Sequence, residues 1–306
     1  MHTVDASQDD VTTQASGATV APPHDPLRSR ANGIETIVST VVGGAIAGGL
    51  VAWLLTAADS RWGRLVIGWL FVLPAGVIDT IAVLFDFPIL TRAPVLVVLA
   101  TLVGAATGYT GGRYEAYDWR SKGWLQFLAD VTWGLAGSSV AAVMHGVNHA
   151  LGHRPLDRRT GIHRYDAGFT TGKRFAFTQG AVMSYLRSKP GEPLHIHERV
   201  HVMQHRVFGP IFPITYLAWS VSIGAVAIVA SGVLPGFKDR IEGWAYFSNP
   251  WEVWAYQVHG HAHNITQGFR KEFNKRSWRN GTVIAVSMLF FPAMMILAAL
   301  ALVAAF

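Results

Sequence analysis

The sequence predicts a mainly α-helical, polytopic membrane protein with a more polar unit set between its apolar helices. Of 306 residues, 51% are apolar and 14% charged, whereas soluble globular chains are about a quarter charged. The apolar excess is gathered into five or six runs approaching the roughly 20 residues that cross a bilayer. Most of the thirteen histidines fall in three clusters, at 145–153, 195–205 and 259–263. With no cysteine, disulfides, thiolate metal sites and cysteine nucleophiles are excluded. The net charge of +6 comes from basic residues beside the apolar runs, not in one block. That pattern fits membrane topology and lipid head groups and argues against nucleic acid.

Residues 1–32 are rich in Ser, Thr, Asp, Ala and Pro and are expected to form a disordered tail without a cleavable signal peptide. Residues 33–152 predict four transmembrane helices. The first run, 34–57, pairs Gly44 with Gly48. The second, 65–85, contains Pro74 and Asp79. A third, 94–112, spaces Gly104, Gly108 and Gly112 four apart, and a fourth, 125–152, carries Asp130, His145 and His149. Small residues at that spacing let helix backbones approach closely, so these four should form a bundle. A polar unit, 153–281, follows, interrupted by an apolar run at 211–234. A last transmembrane helix is expected over 282–306.

Orientation follows from the basic residues. Residues 153–207 hold ten of them, which places this segment, and the N-terminus four crossings earlier, in the cytoplasm. Residues 235–281 hold seven more, yet a full crossing at 211–234 would put them outside. Either the charge rule fails here, or that run is interfacial or re-entrant; the second reading is favoured.

Within 193–217, His197, Glu198 and His201 spell H-E-x-x-H. On a helix, positions i and i+4 share a face, so both imidazoles can reach one metal while the glutamate takes a proton from activated water. The bland alternative is a membrane-surface helix with solvated histidines. Catalytic zinc takes three protein ligands and keeps one position open. Glu252 is a candidate third ligand, in the first turn of a helix opened by Asn249 and Pro250; a capping glutamate is the competing and compatible role.

HERVHVMQHRVFGPIFPITYL followed by NPWEVWAY resembles the gluzincin metallopeptidases, in particular compact bacterial minigluzincin-like proteins. The resemblance covers roughly residues 165–265. It implies a small α+β metallopeptidase domain with zinc (Zn²⁺) on His197, His201 and Glu252, Glu198 as general base, and Gln204 orienting His201. It further implies that TGKRFAFTQGAVMSYL forms strands offering an edge to an extended peptide substrate, and it suggests a bacterial plasma membrane. The 51-position separation of His201 and Glu252, with an apolar run between them, departs from the pattern. If both ligand helices hold one ion, that run cannot separate them. H-E-x-x-H beside membrane segments is also similar to site-2 and CAAX prenyl proteases, but no second intramembrane L-D-G-type motif occurs.

On the Glu252 helix, Tyr256, His259 and His263 follow the same face, so Tyr256 or His259 could stabilise an oxyanion. His145, His149 and His153 form a row on the fourth helix and support a rival reading, a histidine-box di-iron oxidase or desaturase; no adjacent His-His pair accompanies it. A non-catalytic membrane subunit with a structural metal is a third reading. Asp79 and Asp130 are expensive in a bilayer and need partners, for which His145 or a basic residue is available. The expected partners are the lipid bilayer and a peptide or membrane-protein substrate, with a membrane complex or homo-oligomer left open.

Overall fold

The computed structural model describes residues 26–58, 60–170, 176–188, 190–231, 245–246 and 248–258. Expectations for residues 1–25, for the end of the 211–234 run, for His259 and for the helix at 282–306 fall outside the described residues. The described chain is mainly helical, with one small sheet. By length and composition it holds two helices able to cross a membrane, or up to four if each of two bent pairs is one span.

Helix α1, Pro26–Ala57, opens on a proline, a residue whose missing N–H costs nothing in the first turn. It begins seven residues ahead of the boundary drawn from composition. Its apolar part, Gly33–Ala57, and α4, Ala93–Arg113, are the two unbroken candidate spans. The predicted glycine stripe is their contact: a Cβ on Gly104 or Gly108 would run into the α1 backbone at Gly43 or Ser39. The Ser39 hydroxyl donates to the Gly108 carbonyl at 2.7 Å. Gly108→Val is therefore expected to destabilise by about 1–3 kcal/mol through overpacking, read as thermal unfolding in detergent. Gly49→Ala, where a Cβ would meet nothing within 4 Å, should leave the transition in place.

The second run is not one span. It forms α2, Arg61–Phe71, and α3, Leu73–Ala82, broken at Val72. Pro74 explains the break, because it cannot donate to the carbonyl four residues back and its ring crowds that turn. Asp79, 1% exposed, finds its partners in the backbone, accepting from the N–H groups of Ile89 and Thr91 ahead of α4.

The fourth run is likewise broken, into α5, Gly123–Val131, and α6, Leu135–Ala150, at 92° to each other. Thr132 leaves helical geometry (φ −124°, ψ −97°). The Ser138 hydroxyl donates to the Asp130 carbonyl at 2.7 Å, satisfying an acceptor that the break takes out of the helix ladder. Asp130 pairs with a basic residue, not with His145. Arg206 donates to its two oxygens at 2.9 and 2.7 Å, and the Tyr117 hydroxyl adds a third bond at 2.9 Å.

The polar unit opens with a three-stranded sheet, β1 (His163–Arg164), β2 (Phe177–Gln179) and β3 (Val182–Ser184), in the order β1-β3-β2. β1 runs parallel and β2 antiparallel to β3. Side chains alternate across a strand, so Val182 packs with Ala141 and Met144 of α6 while Met183 packs with Val202 beyond the other face. Thr178 lies opposite Met183 and shares that second face. Helix α7, Pro193–Phe208, covers it and ends at Gly209. With φ +54° and a hypothetical Cβ pressed on Trp133, position 209 requires glycine. There the chain turns by 117° into α8, Ile211–Ser231. Helix α9, Pro250–Val258, completes the described chain.

Candidate metal centre

On α7, positions 197, 201, 204 and 208 lie on one face. His197, His201 and Gln204 turn that face toward the first turn of α9, and Phe208 packs edge-on to Trp251 at 5.0 Å between ring centres. As expected, Asn249 caps α9, its side-chain oxygen accepting from the Trp251 N–H at 3.1 Å. The reciprocal half of a capping box is not made, since the Asn249 N–H donates to the Tyr246 carbonyl. The Glu252 carboxylate faces α7, with Oε2 3.1 Å from His197 Nε2 and Oε1 3.4 Å from His201 Nε2. The two imidazole Nε2 atoms are 3.1 Å apart.

All three side chains are buried, and one ligand atom from each lies within 4.8 Å of the others, so the group could hold a metal ion. It is the only such group among the described residues. The run 211–234 does not keep the ligand helices apart. The sharp turn at Gly209 brings the start of α8 against α9, where Trp251 Nε1 donates to Thr215 at 2.9 Å and Trp219 Nε1 to Ser248 at 3.0 Å. From α8, the Tyr216 hydroxyl donates to Glu252 Oε1 at 2.9 Å.

Hydrogen bonding fixes how His201 presents itself. The Gln204 amide nitrogen donates to the Trp251 carbonyl at 3.1 Å, and a backbone carbonyl can only accept. Gln204 Oε1 therefore faces His201 Nδ1, 2.8 Å away, which must carry a proton and leave Nε2 for the centre. Removing such an outer partner typically weakens metal binding 10–100-fold, so Gln204→Leu is expected to do so, measured by competition with a chelator. Burial alone raises the Glu252 pKa, but the facing His201 and the hydrogen bonds with His197 and His201 outweigh it and hold the carboxyl below its ordinary range.

Glu198, 5% exposed, does not join the ligand group. One of its oxygens accepts from the Thr178 hydroxyl of β2 at 2.5 Å, and its side chain lines a cavity of about 260 Å³ together with His201, Glu252, Phe177, Tyr216 and Tyr246. Burial and the neighbouring Glu252 push the Tyr246 pKa well above its ordinary value, so that hydroxyl keeps its proton as a donor. Tyr256 packs on the His197 ring, 4.3 Å between centres. Thr178, Tyr216 and Tyr246 were not foreseen. Tyr216, a phenol inside an apolar run, carried a signal that could have been read; Thr178 carried none.

The other predicted histidines among the described residues do not join this centre. His145 Nδ1 lies 2.6 Å from the Tyr165 hydroxyl, and His149 Nε2 lies 2.9 Å from that of Tyr114. His195 Nδ1 is approached by the Gly191 N–H at 3.5 Å, and His205 Nε2 lies 3.1 Å from Gln179 Oε1.

Fold and site thus define a mainly helical chain with candidate membrane spans and one buried His/His/Glu group able to hold a metal. Comparison with protein-family models, with curated proteins and with solved structures gives no match.

Proposed function

We propose that this is a membrane-bound zinc metallopeptidase of gluzincin type, acting on a peptide or membrane-protein substrate. The observation that carries the reading is the convergence of His197, His201 and Glu252 beside a buried glutamate that is not a ligand. Zinc bonds to nitrogen and oxygen are about 2.0–2.1 Å, which gives tetrahedral edges of about 3.3–3.4 Å. The three ligand–ligand distances of 3.1, 3.1 and 3.4 Å match that scale, and an all-imidazole-and-carboxylate set suits zinc.

When bound, zinc supplies Lewis acidity that polarises a carbonyl and makes water easier to deprotonate. Glu198 accepts the proton and returns it to the leaving amine. Thr178 holds one Glu198 oxygen, which leaves the other for that transfer. Tyr246, which lines the same cavity, and Tyr256, packed on the His197 ring, are the nearby phenols for the developing oxyanion. Strand β2 borders the cavity and pairs with β3 alone among the described strands, so its other edge can take an extended peptide.

The purified protein should contain about one zinc per chain. Glu198→Gln should keep that metal and lose at least about 100-fold in peptide hydrolysis, the lower end for a general base. Retained turnover in Glu198→Gln, or iron in place of zinc, would sink the reading.

A further inference from the structure

A second cavity, of about 690 Å³, lies far along the chain from the metal ligands, between α1 and α5. Its walls are almost wholly apolar: Val38, Val42 and Ile46 of α1 face Phe127 and Leu128 of α5, with Trp124 at one end. The two helices run side by side in the same direction. Trp119, just before α5, donates to Glu35 at 2.5 Å, and eight residues later Phe127 reaches Gly43. Nine residues of α5 extend about 13–14 Å, close to half of a bilayer core about 30 Å thick. The wall then ends where the chain turns by 92°. The groove is therefore one leaflet deep.

Its two ends differ in chemistry. Trp119 and the half-exposed Trp124 mark one end as interfacial, as tryptophans do. Arg113, Arg120 and Lys122 are exposed at that same end, where the acids are Glu35, engaged by Trp119, Asp118, which accepts from the Arg120 N–H at 3.3 Å, and Glu115, faced by Arg158 and Arg159 at 3.8 and 3.9 Å. The local balance is cationic. At the opposite end, by Ile46 and Leu128, no charged side chain lines the groove. An alkyl chain, which needs no hydrogen-bond partner, suits the apolar walls, and an anionic headgroup suits the cationic end.

We propose that this groove is a binding site for one acyl chain of an anionic phospholipid, whose phosphate sits at the Arg120–Lys122 turn. The site is independent of the metal centre and of the reaction assigned to it. It would make the contact between α1 and α5 a lipid-filled one, with a headgroup preference set by three cations.

The test is native mass spectrometry of the full-length protein released from bilayers of phosphatidylcholine containing phosphatidylglycerol. Wild type should retain one phosphatidylglycerol. Val38→Trp, which fills the groove, should lose it while melting at the wild-type temperature. Arg120→Ala combined with Lys122→Ala should keep a lipid but lower the preference for phosphatidylglycerol about 30-fold, on the scale of one basic residue at an anionic lipid surface taken twice. Equal retention in wild type and Val38→Trp would overturn the proposal. So would lipid that binds only after residues 282–306 are deleted, because the chain itself would then be the occupant.

Discussion

Replacing Glu252 by alanine should strip the metal from the protein even though His197 and His201 stay in place. Two imidazoles on adjacent turns of α7 leave a zinc-like ion two ligands short of a closed shell, and the third anionic donor comes from α9. Loss of affinity should exceed the 10–100-fold expected when only an outer partner is removed, and elemental analysis after dialysis should find little zinc. The helix should survive, because Asn249 and not Glu252 supplies its cap. Far-ultraviolet circular dichroism that matches wild type, together with metal loss, is the expected pair of results. Full metal content in Glu252→Ala would remove Glu252 from the ligand set.

Asp130→Ala should cost about 3–5 kcal/mol, the usual penalty for leaving one charge of a buried pair alone. Asp130 is 2% exposed and receives two bonds from Arg206 and one from Tyr117. Arg206 follows Gln204 on α7 and also donates to the Gly161 carbonyl at 2.5 Å. The pair thus fastens the metal-binding helix to the end of α5. Replacing both residues, Asp130→Leu with Arg206→Met, should recover much of the loss, since a buried ion pair is often no better than apolar side chains of similar volume. Denaturation in mild detergent reads both effects, and no recovery in the double variant would argue that the pair has a role beyond packing.

What the sequence made legible was what depends on local spacing. The glycine ladder of α4 is visible as 104, 108 and 112, and its partner face on α1 could be expected before any contact was seen. The two histidines of α7 are four apart, so their shared face is a property of any helix, and Asn249-Pro250 announces the start of α9. The breaks were harder to see. Pro74 stood in the second run and still did not signal a separate helix, because membrane helices tolerate proline. The bend after Asp130 has no proline at all. Beside it lies a charge pair with Arg206, 76 positions away, and nothing in residues 125–152 encodes that distance. Thr178 was invisible for the same reason: its role is fixed by strand register against Met183 and by the docking of α7, both of which are long-range facts.

His197 and Glu252 are 55 positions apart, and this separation has an entropic side. Bringing the ends of such a segment together costs on the order of 3.5 kcal/mol in chain entropy, from the logarithmic length dependence of loop closure. An ion shared by both ends acts as a clasp on that loop. The same three side chains that would perform chemistry would also tie the late part of the chain to the early part, so a bound metal would add to the stability of that closure without being needed for the helices themselves.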